Sequence, residues 1–440
     1  MADLAPPSGP EPTLPELIAA RPPLTADAMA GLCFEQIPLN LIADRFGTPT
    51  YVYGAGTIRA RFASLRTALA DAGLDVAIHY AVKANDHLAI LNLLRGLGAG
   101  ADVVSGGELA RALRVGIAAD HIVFSGVGKT AAEIDLALQQ NIGQLNVESA
   151  EELDMISARA VALGCTTRIA LRVNPDIDAG THHKISTGRA EDKFGIPAQD
   201  VPALYAHAAA LPGIKPVGIA IHIGSQILDM APYRTSFAAA AQMVQNLRDN
   251  GQIVEVVDCG GGLGIDYCGQ TQASPAAYAG AMRAHLQPLG VRLMMEPGRF
   301  LIGPAGLLLA SVIRVKQTAH RRFVVLDAAM NDLMRPAMYD AWHGIVPVAP
   351  ESLHAGVTPA DVVGPVCETG DIFARDRLLP AIEPGQHVAL LDAGAYGASM
   401  SSSYNARPRA AEVLVDNGKT HLIRARPGVE SLWRDEIIPA

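Results

Sequence analysis

Residues 79–85 read HYAVKAN, and the run before them, Val76 to Val82, is apolar and short enough to be a buried strand. It meets Lys83 and then turns polar at Asn85 and Asp86. A lysine at a strand end often reaches solvent along its own stem. In a partly desolvated site the same amine loses its proton more readily and attacks a carbonyl carbon. The segment IAIHIGSQ places His222 and Ser225 at the end of a second apolar run, and CGGGLG places Gly260, Gly261, Gly262 and Gly264 after a third. A fourth run ends in Glu296-Pro297-Gly298-Arg299. Ser105-Gly106-Gly107-Glu108, Glu148, and the pair Arg172 and Asn174 close others. Glycines in such a run let backbone N–H groups close on an anion, because no Cβ intrudes. An amine, an imidazole, a carboxylate and an anion pocket are the parts of a carbonyl-based catalyst.

These groups need a scaffold that gathers strand ends. Short β-branched runs at 77–83, 100–105, 122–126, 144–149, 167–174, 217–224, 254–259 and 292–296 alternate with helical segments at 106–116, 130–140, 150–164, 232–250 and 275–288. Ser149 and Ser274-Pro275 are helix-start signals. Near-continuous apolar strands in a βα repeat mean a parallel sheet covered by helices. Eight units suggest closure into a (β/α)8 TIM-type barrel of roughly 250 residues; an open doubly wound sheet is the alternative. In the barrel, active sites form at the C-terminal strand ends, and phosphate commonly binds in the loops after strands seven and eight. The glycine run and Gly298 stand in those loops. The stretch Pro175 to Pro197 is long enough to be a functional loop. Beyond Ile302, runs at 307–316, 322–328, 386–393 and 411–416 have strand character with little helix between them. The reading is a Pro-rich, mostly disordered tail over 1–23, a segment over 24–46 that joins a β-rich domain, a barrel over 47–301, and the β-rich domain, barrel- or sandwich-like, over 302–440.

One cofactor uses a phosphate pocket, a lysine, a carboxylate and an imidazole together. Pyridoxal phosphate carries a phosphate and an aldehyde that forms a Schiff base with lysine, and its ring nitrogen needs an acidic partner to remain protonated. Glu296 is the candidate partner, and His222 the candidate ring neighbour.

Composition narrows the rest. Half the chain is hydrophobic, 18% is charged, and the net charge is −9 with no basic run. That argues against nucleic acid and anionic membrane as partners. The apolar stretches are too short to span a bilayer, and the opening MADLAPPSGP has no basic or apolar signal region. The five cysteines are scattered without CxxC spacing, which fits reduced thiols and a cytoplasmic setting, with no metal site.

YAVKAN at 80–85, HIGSQI at 222–227, GGGLGI at 260–265 and EPGR at 296–299 together resemble the barrel-type (fold-type III) pyridoxal-phosphate decarboxylases, and the resemblance runs from about residue 25 onward. NDLMRPAMYDAWH at 331–343, CETGD at 367–371 and GAYGASMSSSYNARPR at 394–409 resemble the branch of that family that acts on diaminopimelate. The resemblance implies Lys83 as the Schiff-base lysine, His222 against the ring and Glu296 at its nitrogen. It puts Gly261, Gly262, Gly264, Gly298, Arg299 and Tyr396 around the phosphate, with Ser225 beside the cofactor. Arg299, Arg335 and Tyr339 would hold the substrate's distal carboxylate, with Tyr396 close by, and Glu368 its distal ammonium. Cys367 would be the proton donor, offered by the other subunit of a homodimer. The chain departs from the family's pattern at Lys184, in place of an aromatic residue, and at Thr369, in place of serine.

Overall fold

Alternation of apolar strands and capped helices closes a ring in the computed structural model, which describes residues 11–177, 187–188, 191–269 and 273–439. One unit comprises Arg61–Ile265 and Ala273–Phe300. Its barrel strands are β1 (Val76–Ala81), β2 (Gly100–Val103), β3 (Ile122–Phe124), β4 (Gln144–Val147), β5 (Thr167–Asn174), β6 (Ile214–Ile221), β7 (Val256–Asp258) and β8 (Arg292–Met295), and the two-residue strand Ile196–Pro197 adds to β5 outside the ring. Each pairs in parallel with the next, and β8 pairs with β1, so the sheet is a closed TIM-type barrel rather than an open one. The expected helices form at 106–114, 131–139, 150–163, 231–249 and 275–285. Ser149 caps the third, its Oγ accepting the Glu152 N–H at 3.2 Å, and Gly164 ends it at φ 64°.

Inside the ring, Val123, Val217, Val256 and Met294 form a buried apolar layer. Side chains two residues apart share a face of a strand. Two residues on from Val256 and Met294 lie Asp258 and Glu296, so the same face that packs the core turns polar at the C-terminal end. Asp102 and Asn146 are buried there as well. Lys184 and most of the loop around it lie outside the described residues.

The second unit comprises Met1–Ala60, Asp266–Gln272 and Leu301–Ala440. Its spine is the long strand Gly306–Gln317, which pairs antiparallel with Thr50–Gly54, Arg322–Leu326 and His387–Leu390. Thr50–Gly54 also pairs in parallel with Ala411–Val415. A hairpin of Val357–Val363 and Ile372–Pro380, absent from the sequence reading, extends this sheet. Leu24–Asp27, Gly31–Phe34 and Ile37–Pro38 form a small separate sheet. The sequence reading gave residues 47 onward to the barrel. Instead, Thr50–Gly54 lies in the β-rich sheet, because its partners are remote in the chain and local pattern does not reveal them.

The expected disordered tail also differs over its described part. Residues Leu14–Ala19 form a helix with a Thr13/Glu16 capping box, and Leu14 and Leu17 are buried. Just after it, Arg21 is buried, donates to Asp392 Oδ2 through Nε and Nη2 at 2.9 and 2.6 Å, and donates to the Leu17 and Tyr267 carbonyls. Proline content suggested disorder; a buried arginine with three sets of acceptors overrides it. Arg21→Ala leaves Asp392 buried and unpaired, an expected loss of about 3–5 kcal/mol, against about 1 kcal/mol for Thr13→Ala at the exposed cap. Both tryptophans, Trp342 and Trp433, belong to this unit, so urea unfolding followed by their fluorescence measures the difference. Equal losses would remove the ion pair from the forces that hold this unit.

Candidate active site

Lys83 lies in the single 3₁₀ turn Val82–Ala84 that follows β1. Its Nζ is 2.9 Å from Asp102 Oδ2, and Asp102 is fully buried. The turn is pinned from β8's end: the Ala81 N–H donates to the Pro297 carbonyl, and a Cβ on Gly298 would come within 3.0 Å of Ala84 Cβ. That close approach is why the EPGR segment carries glycine at 298.

Glu296 is 7% exposed. Its Oε1 accepts from Ser125 Oγ at 3.3 Å and Asn146 Nδ2 at 3.4 Å, and Asn146 Nδ2 is also 3.3 Å from Asp258 Oδ2. Burial pushes the Glu296 carboxyl well above the usual carboxylate range, and Asp102 and Asp258 push it further while Lys83 opposes them. His222 follows β6. The Gly261 N–H donates to its Nδ1 at 3.1 Å, and burial, with Arg172 and Lys83 nearby, holds the imidazole well below its ordinary value. The ring is therefore neutral, and with Nδ1 an acceptor its proton sits on Nε2. Glu108 is raised to about 7, chiefly by burial, although the Val104 N–H at 2.8 Å favours its charged form.

The glycine run is stitched to the HIGSQI loop. Gly262 has φ 95° and its carbonyl accepts the Ile227 N–H, while the Gly264 N–H donates to the Ile227 carbonyl. Gly261 and Gly264 thus spend their N–H groups within the chain. Gly264 serves close backbone approach, since a Cβ there would lie 2.9 Å from the Gln226 carbonyl carbon. Ser225 Oγ is 3.3 Å from Arg299 Nη2, so those two expected residues meet. Glu148 and Arg172 form a 2.8 Å ion pair whose carboxylate also accepts the Gly126 and Gly195 N–H groups, which assigns them to loop anchoring.

The β-rich unit carries the remaining expected residues. Arg335 and Tyr339 bracket the short helix Arg335–Tyr339. Arg335 is buried over the Tyr267 ring at 4.5 Å and lies 2.7 Å from His343 Nε2, whose Nδ1–H donates to the Leu391 carbonyl. The motif thus orients its own arginine. Tyr396 stands at φ 56°, a region rare for non-glycine residues. Its neighbour Gly394 could not carry a side chain, for a Cβ would come 1.9 Å from the Ile302 carbonyl. Cys367 and Glu368 are exposed on one turn. Sequence reasoning missed Asp102, Asn146 and Asp258. Their signal was a polar residue inside a largely apolar run, as in GADVV, QLNV and VVDC.

Residues 55–303 match the family model described as "Pyridoxal-dependent decarboxylase, pyridoxal binding domain". The chain is 48% identical over 408 residues to the diaminopimelate decarboxylase of Zymomonas mobilis, covering 92% of this chain and 96% of that one. Among solved structures it is similar to the Helicobacter pylori diaminopimelate decarboxylase complexed with L-lysine (TM-score 0.86, 41% identity, 90% of this chain and 98% of that one). It is also similar to the M. jannaschii enzyme in co-complex with L-lysine (TM-score 0.90, 35% identity, 96% and 99%). The chain belongs to the pyridoxal-dependent decarboxylases, and within them to the diaminopimelate decarboxylase family.

Pyridoxal phosphate is the cofactor, and the barrel residues fit it on their charge alone. Asp102, Asp258 and Glu296 are 0%, 0% and 7% exposed and lie near one ammonium, Lys83. The ring nitrogen of the bound cofactor, if cationic and set beside Glu296, would add positive charge to this acidic cluster. Lys129, buried where Lys83 is partly exposed, is already satisfied: its Nζ donates to the Gly126 and Asn146 carbonyls and to Glu152 Oε1 at 2.6–2.7 Å. Lys83→Ala should therefore lose the cofactor's visible absorption band and nearly all turnover. Borohydride treatment of the native enzyme should fix the cofactor to Lys83, and labelling of Lys129 or Lys193 instead would refute the assignment.

Proposed function

We propose that this chain decarboxylates meso-2,6-diaminopimelate at its D-configured centre, giving L-lysine and carbon dioxide, the last step of lysine biosynthesis. The observation that carries this reading is Lys83 held against Asp102 at the barrel's rim, in a chain that matches a diaminopimelate decarboxylase over 92% of its length. Bound pyridoxal phosphate supplies the electron sink for the pair left at the α-carbon when carbon dioxide departs.

The chain's own groups do the rest. Lys83 provides the amine that holds the cofactor's aldehyde carbon, and Asp102 keeps that amine in place. Glu296, once ionised, holds a proton on the ring nitrogen. His222 presents a neutral ring face and adds no competing cation. Gly261, Gly262, Gly264, Gly298 and Arg299 border the phosphate, with Tyr396. Arg299, Arg335 and Tyr339 read the distal carboxylate, where a guanidinium offers fork geometry that an ammonium does not. Glu368 reads the distal ammonium. A substrate without that carboxylate forgoes those charge-assisted hydrogen bonds, which discriminates against it. Cys367 delivers the proton to the α-carbon after carbon dioxide leaves.

The assembly follows from the same reading: a homodimer in which Cys367 of each chain serves its partner's site, in the cytoplasm. No helix among the described residues is long and apolar enough to cross a membrane.

Purified enzyme should turn over diaminopimelate and leave ornithine almost untouched; comparable turnover of both would overturn the substrate assignment. Arg335→Ala should lower kcat/KM for diaminopimelate roughly 10- to 100-fold, the worth of a charged hydrogen bond, with cofactor affinity nearly intact. An unchanged kcat/KM would take Arg335 out of the site. Lys83→Ala and Cys367→Ala chains, nearly inactive alone, should complement when co-expressed. Random pairing makes about half the dimers heterodimers with one intact site of two, so activity should return to roughly a quarter of wild type. Verified heterodimers as inactive as their parents would place Lys83 and Cys367 in the same chain's site.

A further inference from the structure

We infer that Asp371 is a positioning residue for Cys367 and Glu368, and that it fastens their turn to the loop leading into Arg335. This rests on the reading of Cys367 as proton donor and Glu368 as substrate contact. Residues 367–370 are exposed, and nothing in their apolar content would fix them. Asp371, at the end of the turn, is 3% exposed. Its Oδ2 accepts the Val366 N–H at 2.7 Å, immediately before Cys367, and its Oδ1 accepts the Met330 N–H at 2.7 Å, five residues before Arg335. Its own N–H donates to the Glu368 carbonyl at 3.1 Å, and its carbonyl accepts the Gly364 N–H at 3.1 Å.

One side chain, set at the far end of the turn that presents the thiol, therefore grips its near end and a second motif besides. The two oxygens have one donor each, so a carboxylate is required where an amide offers a single acceptor and turns its N–H2 toward a backbone N–H. The surroundings reserve the space: a Cβ on Gly364 would lie 2.3 Å from Asp371 Oδ2. The turn's exposed face is steadied from the SSSYNARPR segment, where Asn405 Oδ1 accepts the Cys367 N–H at 3.1 Å.

The test uses full-length holoenzyme. Asp371→Asn should raise the rate of Cys367 alkylation by iodoacetamide at least threefold, read by peptide mass spectrometry. Cys165, which is partly exposed, serves as internal reference and should not change. In the same protein kcat should fall at least tenfold and KM for diaminopimelate should rise severalfold, while the cofactor's visible band and Tm stay near wild type. A general folding role would move Tm and the reference cysteine as well, and that outcome overturns the inference. So does an Asp371→Asn enzyme with wild-type alkylation rate and kcat. Gly364→Ala, which crowds the carboxylate without removing it, should shift Cys367 alkylation and kcat in the same direction. If Asp371→Asn does not fold, a Gly364→Ala enzyme with wild-type values for both overturns the inference. Cys367→Ala separates the two layers: if it keeps wild-type kcat, the donor reading fails; if it is inactive while Asp371→Asn is normal, only the positioning role fails.

Discussion

Asp102, Asp258 and Glu296 lie out of water inside a ring of parallel strands, and Lys83 is the ammonium set against them. Buried like charges repel strongly, and each is costly without hydrogen bonds. The neighbouring residues answer that cost. Asn146 spreads its amide over Ser125, Asp258 and Glu296, and Gly260 offers its N–H to Asp258 at 3.0 Å. Lys129, which has a similar charge, is kept out of the cluster by two carbonyls and Glu152. What remains is a carboxyl, Glu296, whose charge is disfavoured by burial and by its acidic neighbours and favoured by Lys83. Any further positive group placed beside it would favour the ionised form.

The same constraint explains which parts of the site were legible in the sequence. Lys83, His222, the glycine run and Glu296 follow apolar runs, where a change of polarity marks a strand end, and the period of the βα repeat places all of them on one rim. Barrel closure was legible for the same reason. Asp102, Asn146 and Asp258 sit within the runs instead of after them, and a polar residue inside a largely apolar strand has no local signature that separates a mistake in the pattern from a buried partner. Thr50–Gly54 was assigned to the wrong unit because strand composition does not name its partners. The helix Leu14–Ala19 was hidden by the prolines around it, since the interaction that orders this region, Arg21 with Asp392, spans most of the chain.

The motifs of the β-rich unit combine two kinds of residue. In RPAMYDAWH, His343 does not reach outward; its two nitrogens join Arg335 to the Leu391 carbonyl. In CETGD, the cysteine and glutamate are exposed and the aspartate is buried. In each case a polar residue that reads as chemistry is held by another that reads the same way. Sequence alone gives both the same weight, and burial separates them.

The strand Thr50–Gly54 has its two neighbours at Gly306–Leu309 and Ala411–Val415, with the whole barrel between them in the chain. During synthesis it leaves the ribosome early and waits, with both edges open, on the order of tens of seconds for those partners to emerge. The barrel, whose strand pairings all join consecutive strands apart from the closing β8–β1 pair, completes its last strand at Met295, shortly ahead of Gly306. A bare strand reading TYVYG is a ready template for other chains. A chaperone that covers the strand until residue 306 emerges would keep that template from other chains.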